Sequence, residues 1–317
     1  EQSETVTIYQ AGLSTSTITV HVPKKGTLQA VLKEMELNIE AIGSLKITGE
    51  LNDEDFISIR LMTNLKNLDI SEVNITALPT RAFHASENVE NLILPNTLTT
   101  IGSKMFAEST LKFVIIPVGV TTIEQAAFEK CTALTSIEIP ASVETIGDSA
   151  FMGCSKLATV TFEKGSRLTS ITGDCVKDSG NRVTSYGAFL ECTSLTKIEI
   201  PASVTTIGSG AFHDCSSLEI VSFEEGSKLI TIKDGYKDGG NTVYGAFTNC
   251  DNLTLFDASN CTQIKTIGNY AFNYRNRWNS QISFTIKLGT EIPPILTYTK
   301  DEYYTQLLIL IAEIVNT

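Results

Sequence analysis

The sequence is poor in the groups that most chemistry needs. It holds one tryptophan and three histidines in 317 residues, and its 24 lysines and arginines are outnumbered by 36 aspartates and glutamates. The formal net charge of −12 repels phosphate backbones and anionic lipid, which argues against nucleic acid and membrane surfaces as partners and favours a neutral or cationic protein surface. No run approaches the roughly 20 consecutive apolar residues that cross a bilayer. The longest, Leu307 to Val315, is too short for insertion, and Glu1 to Thr7 lack the basic start and apolar centre of a signal peptide. Motifs of catalysis are missing too: there is no Gly-Lys phosphate loop, no G-x-S-x-G and no H-E-x-x-H. No catalytic residue, cofactor or metal is therefore assigned, and enzyme activity is not expected.

What is present is apolar and periodic. Hydrophobic residues make up 42% of the chain, enough for a folded core. A phenylalanine, usually preceded by alanine, recurs at Phe83, Phe106, Phe128, Phe151, Phe189, Phe212, Phe247 and Phe272, with gaps of 23, 22, 23, 38, 23, 35 and 25 residues. The surrounding text repeats as I-G-x-x-A-F-x-x-C-x-x-L-x-x-I/V-x-I/F-P-x-x-V-x-x-I. Leu134, Ile137 and Ile139 before Pro140 alternate like a strand with one buried face, and Val143 with Ile146 marks a second short extended piece. One coil cannot bury enough to offset the entropy of ordering itself, so neighbours must stack and pair their strands. The expected fold is an α/β repeat: a leucine-rich-repeat solenoid of about eight to nine stacked ~23-residue coils with a parallel strand ladder and terminal caps.

Residues 1–62 read as an N-terminal cap of mixed strand and helix. Thr17 to Val22 and Ser44 to Thr48 alternate as strands. Thr27 is placed to cap a helix through Leu28 to Glu36, with Leu28, Val31, Leu32 and Met35 on one face, and Asp53 to Met62 suits a second helix. Residues 63–286 form the array and 287–317 a C-terminal cap or tail, in which Tyr304, Leu307, Leu308 and Ile311 share a helical face.

On these recurring Ile-Gly, Ala-Phe, Cys, Leu and Ile-Pro positions, from Leu65 to Ile286, the unit resembles the BspA-type leucine-rich repeat of Bacteroides-type surface proteins. The turn Gly49-Glu50-Leu51-Asn52-Asp53 resembles their leading region. The resemblance implies secretion or outer-surface display, and adhesion to host extracellular matrix or other cells through a protein ligand. It carries no binding motif that could be transferred residue by residue.

Five cysteines, Cys131, Cys154, Cys192, Cys215 and Cys250, fall three residues after the anchor Phe and form a row. Coils about 4.8 Å apart would permit disulfides by distance, but side chains stacked in register point in parallel, so buried thiols acting as small hydrophobes are expected. Cys175 and Cys261 lie outside the row. His84 and His213 share the slot after the anchor Phe, a position expected at the repeat surface, and His21 lies in a strand.

Two places break the repeat, and breaks in a regular scaffold are where function is grafted. Inserts near 165–186 and 226–244 each have extended pieces around Gly180-Asn181 or Gly240-Asn241, a hairpin pattern. Arg182, Tyr186, Tyr236, Lys237 and Tyr244 are their candidate binding residues, since aromatic and basic groups dominate interface hot spots. The alternatives are inserts that only stiffen the solenoid, or oxygen ligands for calcium at Asp174, Asp178 and Asn181 or Asp234, Asp238 and Asn241. A second candidate surface is the outward strand face. Its positions are mostly polar, but Ile93, Phe113 and Ile115 cluster as an apolar patch that either binds a partner or lies under the N-terminal cap. The rival functional class, a carbohydrate-binding or nutrient-capture surface protein, rests on Trp278 and Tyr274 alone. An intracellular scaffold would suit the unpaired thiols but not the surface-type leading region.

Overall fold

The computed structural model describes residues 17–173, 186–237, 243–272 and 285–288. They wind into a parallel-strand solenoid of about eight turns with little helix. It opens with β1 (Ile18–Val22), α1 (Leu28–Glu34), β2 (Ser44–Gly49), α2 (Asp53–Arg60) and β3 (Asn67–Val73). These three strands lie in one parallel sheet with Asn91–Ile93 and Phe113–Ile115, so the N-terminal segment continues the array instead of sitting over its face. Each following turn adds one strand to this outward face and one residue pair to a second ladder. That second ladder is seven strands long and nearly uniform in sequence, with six Thr-Ile pairs and one Ser-Ile. Each Ile points into the core and each Thr or Ser away from it.

The phenylalanines form the spine. Phe83, Phe106, Phe128, Phe151, Phe189, Phe212, Phe247 and Phe272 stack face to face with centroids 5.0 to 5.7 Å apart. The 38-residue gap before Phe189 leaves no mark on the stack, because Phe151 and Phe189 are 5.1 Å apart and tilted by 1°. An insert can therefore loop out while the coil keeps its register.

The turn around each Phe is held by a third ladder. In the coil of Phe128, the N–H groups of Ala126, Phe128 and Lys130 donate to the carbonyls of Asp148, Ala150 and Met152 in the next coil, at 2.9, 2.7 and 2.6 Å. Aiming these amides requires the residues two before and two after Phe to be left-handed, as at Ala126 (φ 57°) and Lys130 (φ 55°). Non-glycine residues adopt this backbone only when other bonds compensate, which the inter-coil bonds do. The Ile-Gly pair has a different cause: a Cβ on Gly147 would stand 2.6 Å from the Gln125 nitrogen of the previous coil.

The N-terminal region differs from expectation in its caps. Thr27 makes no side-chain cap to α1, and its hydroxyl donates instead to the Lys24 carbonyl at 2.6 Å. The cap comes from α2, where Asp55 accepts the N–H of Leu28 at 2.9 Å. Helix α1 ends two residues early because Glu36 is left-handed (φ 55°), which leaves Met35 exposed, and α2 stops at Arg60 rather than Met62. Arg60 then directs Nη1 at the Arg81 and Ala82 carbonyls, 3.5 and 3.4 Å away, which face the cap from the first coil. Residues 301–317, expected as a capping helix, lie outside the described residues.

Candidate functional site

The second insert forms the expected hairpin, with Tyr236–Lys237 antiparallel to Val243–Tyr244. Tyr244 lies at the centre of a small ring cluster: its centroid is 5.9 Å from Tyr186 of the first insert, 6.4 Å from Tyr236 and 5.0 Å from His213. Three of the candidate insert residues are thus brought together and pack on one another. Arg182 and residues 174–185, including Cys175, Asp174, Asp178 and Asn181, lie outside the described residues, as do Asp238 and Asn241. Of the oxygen groups considered for calcium, Asp234 is described, and it accepts the Asn269 N–H at 2.7 Å.

His213 corrects the sequence reading. Its slot is half-exposed at His84, Glu129 and Met152, but His213 is 2% exposed, with Nε2 3.1 Å from an Asp214 carboxylate oxygen. Leu190 and Thr248 in the same slot are buried too. Ala107 is buried in the same slot without an insert, so burial there is not due to the inserts alone; at His213 the second insert lays Tyr244 5.0 Å from the imidazole, which a pattern of period 23 could not show.

The outward strand face carries the apolar patch. Parallel pairing places Asn91 beside Phe113 and Ile93 beside Ile115. The cap extends this sheet edgewise and does not cover it: Ile115 is 48% and Val118 78% exposed, while Ile93 and Phe113 are half-buried. Among the described residues, Phe113–Ile115 and Ser136–Ile139 lie in separate sheets. A groove of about 390 Å³ runs along this seam, lined by Phe113, Ile115, Val118, Glu138, Pro140 and Glu163 among others. Sequence alternation marked Ile93, Phe113 and Ile115; it missed Val118, which follows Pro117 outside any strand, and the seam.

Charge on the face is uneven. Lys46 lies 3.7 Å from Asp69 and 2.6 Å from Glu72. Glu90 is held between Lys66 at 3.2 Å and Lys112 at 2.6 Å, and the Lys112 hydrogen bond holds its carboxyl below the usual carboxylate range. A lowered folded-state pKa adds stability above the unfolded value of about 4.3 and loses it as pH falls through the folded value. Glu90→Gln is therefore expected to lower stability at pH 7 by under about 1 kcal/mol, since the pair is solvent-screened. The difference should fade in thermal melts as the pH falls through the lowered folded value and the Glu90 carboxyl takes up its proton.

The cysteine row offers packing rather than chemistry. Each of the five thiols donates to the carbonyl of the anchor Phe in the preceding coil, at 3.0 to 3.3 Å. Burial pushes Cys154, Cys192, Cys215 and Cys250 upward, so they remain protonated donors and not nucleophiles. Ser86 and Ser109 fill the same slot in the first coils and are buried. Cys261, outside the row, is also buried; it bonds Ser227 at 3.4 Å and is raised to about 11 by burial.

Stacked coils, a phenylalanine spine and two parallel ladders define a leucine-rich-repeat solenoid. The chain belongs to the BspA-type leucine-rich-repeat family, whose repeat-region model matches residues 58–183 and 182–290 in six copies. No curated protein matches the sequence. Among solved structures, the pneumococcal vaccine antigen PcpA is 25% identical with a TM-score of 0.42, over 64% of this chain and 46% of that one. The chain therefore spans less than half of PcpA. A leucine-rich cell surface protein from Faecalibacterium prausnitzii is 20% identical (TM-score 0.38), over 92% of this chain and 90% of its own. A leucine-rich repeat protein from Bacteroides ovatus is 17% identical (TM-score 0.41), over 92% and 88%.

Proposed function

We propose that this chain is a non-enzymatic module, displayed on the cell surface or secreted, that binds a protein and serves adhesion to host extracellular matrix or to other cells. In this reading residues 1–62 cap the array, 63–286 present the binding face and 287–317 close the far end. The observation that carries it is the exposure of Ile115, beside Ile93 and Phe113 on a strand face that the solenoid does not need to be apolar, together with that of Val118, which lines the same groove. Aliphatic groups clustered on a mostly polar face favour a protein contact. The insert residues Arg182, Tyr186, Tyr236, Lys237 and Tyr244 form the second proposed contact.

A carbohydrate-binding role is the competing reading. Its sequence support, Trp278 with Tyr274, lies outside the described residues, and the described tyrosines of the inserts pack on each other and on His213 rather than forming an open aromatic platform. Surface binding of the purified chain to immobilised host matrix proteins and glycans separates the two. Capture by matrix protein is expected, with Ile115→Ser/Val118→Ser weakening it at least about tenfold, or ~1.4 kcal/mol. A variant with both inserts trimmed to the plain coil measures the second contact. Binding to glycans alone, or to nothing, overturns the adhesive reading.

A further inference from the structure

We propose that the groove at the seam of Phe113–Ile115 and Ser136–Ile139 docks an extended protein segment in which an aliphatic side chain is flanked by lysine or arginine. This rests on the protein-binding reading above and names the chemistry of the partner. The apolar part of the argument is the lining: Phe113, Ile115, Val118 and Pro140 give the groove its hydrophobic wall, and its roughly 390 Å³ suits one or two aliphatic side chains. Hydroxyls of Ser136, Thr159 and Thr161 line the same groove and can meet a peptide backbone.

The electrostatic part decides the partner. Toward the N-terminus the face is self-neutralised, with Lys46 held by Asp69 and Glu72, and Glu90 by Lys66 and Lys112. Glu138 and Glu163 border the groove, are exposed, and have no ion-pair partner among the described residues. One Glu163 oxygen accepts the Ala141 N–H at 2.9 Å, which fixes the carboxylate at the rim and leaves the other oxygen available. Two unneutralised carboxylates beside an apolar slot attract a cationic segment and repel an acidic one. The same charges disfavour a second copy of this chain as the occupant, because face-to-face association would oppose Glu138 and Glu163 of each copy on a protein of net charge −12. The aliphatic side chain would bury against Ile115 and Val118 while its basic neighbours pair with the two glutamates.

The test is fluorescence anisotropy of a labelled, end-capped peptide Ser-Lys-Ile-Lys-Val-Lys-Ser, compared with its counterpart carrying glutamate for lysine, titrated with the full chain at low and near-physiological salt. The lysine peptide is expected to bind at least about tenfold more tightly than the glutamate peptide, and less tightly as salt screens the rim. Glu138→Gln/Glu163→Gln, which keeps an acceptor for Ala141, should remove most of that preference, and Glu138→Lys/Glu163→Lys should invert it. Ile115→Ser should weaken the lysine peptide several-fold without changing the direction of the preference. Glu129→Lys/Glu191→Lys, in the turn that carries the phenylalanines, should leave the preference in place. An equal loss there would show attraction to net charge only and overturn the proposal, as would equal binding of the two peptides. Retained capture of matrix protein by Glu138→Gln/Glu163→Gln, with loss in Ile115→Ser/Val118→Ser, would also overturn the basic-segment proposal while leaving the adhesive reading intact. A peptide preference that follows the glutamates without any matrix capture would do the reverse.

Discussion

Phe151→Ala is expected to destabilise the middle of the solenoid by about 4 kcal/mol, within the usual range for truncating a fully buried phenylalanine. The ring has no exposed surface and stacks on two others, Phe128 at 5.0 Å and Phe189 at 5.1 Å, so its loss leaves a hole with aromatic walls on both sides. The neighbours cannot collapse into that hole, because the ladders on either side fix the coil spacing. Each coil in a linear array touches only the next ones, so the damage stays local while the cooperativity that joins the two halves is weakened. Thermal melts should broaden or split, and hydrogen exchange should accelerate first at the Ser149, Phe151 and Gly153 amides, which donate to the next coil. Phe272→Ala is the comparison at the other end: that ring is 6% exposed, stacks on Phe247 at 5.3 Å and meets Phe256 edge-on at 5.1 Å, so its loss should loosen the last described coils while those of Phe83 to Phe128 keep their protection. The same pattern of lost protection in both variants would contradict a stack in which each coil is supported by its neighbours.

The spine was legible in the sequence because burial constrains side-chain identity: Phe, Cys, Leu and Ile recur wherever the core demands their shape. The backbone of the same turns was not. The left-handed positions around the anchor are occupied by residues as different as Arg81, Ala126, Lys130, Ser149, Gly153, Glu191, Asn249 and Tyr270, which share no common chemistry. Their conformation is imposed by hydrogen bonds to the next coil, which is a property of the stack and not of any local preference. The same holds for Thr27, a good cap by residue type, which was displaced because a carboxylate from another helix reached the amides first. In the candidate site, alternation revealed the outward apolar residues, since a strand shows every second side chain to solvent. The seam beside them was invisible, because the Phe113 and Ser136 strands have ordinary sequences and differ only in how they meet. Burial of His213 was hidden for a related reason, as the insert that covers it arrives from outside the period.

One side chain ties the two N-terminal helices together, and Asp55→Ala should cost about 3 kcal/mol or more in cap stability. Asp55 is 1% exposed, and its carboxylate accepts three backbone N–H groups: Gly26 at 2.7 Å, Leu28 at 2.9 Å and Asn52 at 2.9 Å. The first two belong to the start of α1 and the third to the start of α2, so one residue caps two helices and fixes the loop between β1 and α1. Alanine would leave these donors without an acceptor in a poorly solvated site, a larger penalty than the loss of an exposed cap. Asparagine keeps one oxygen and turns the other position into a donor facing an N–H, so Asp55→Asn should recover only part of the difference. Because α2 also sets Phe56 edge-on against Phe83 at 5.8 Å, loosening it uncovers the first ring of the spine. Hydrogen exchange should therefore rise in α1, β1 and β2 and spread into the Phe83 coil, while the coils of Phe128 to Phe212 keep their protection. Uniform loss of protection along the whole array would mean that the solenoid folds as one unit, whereas the stepwise pattern follows from a stack in which each coil is supported by its neighbours and the first by the carboxylate-capped helices.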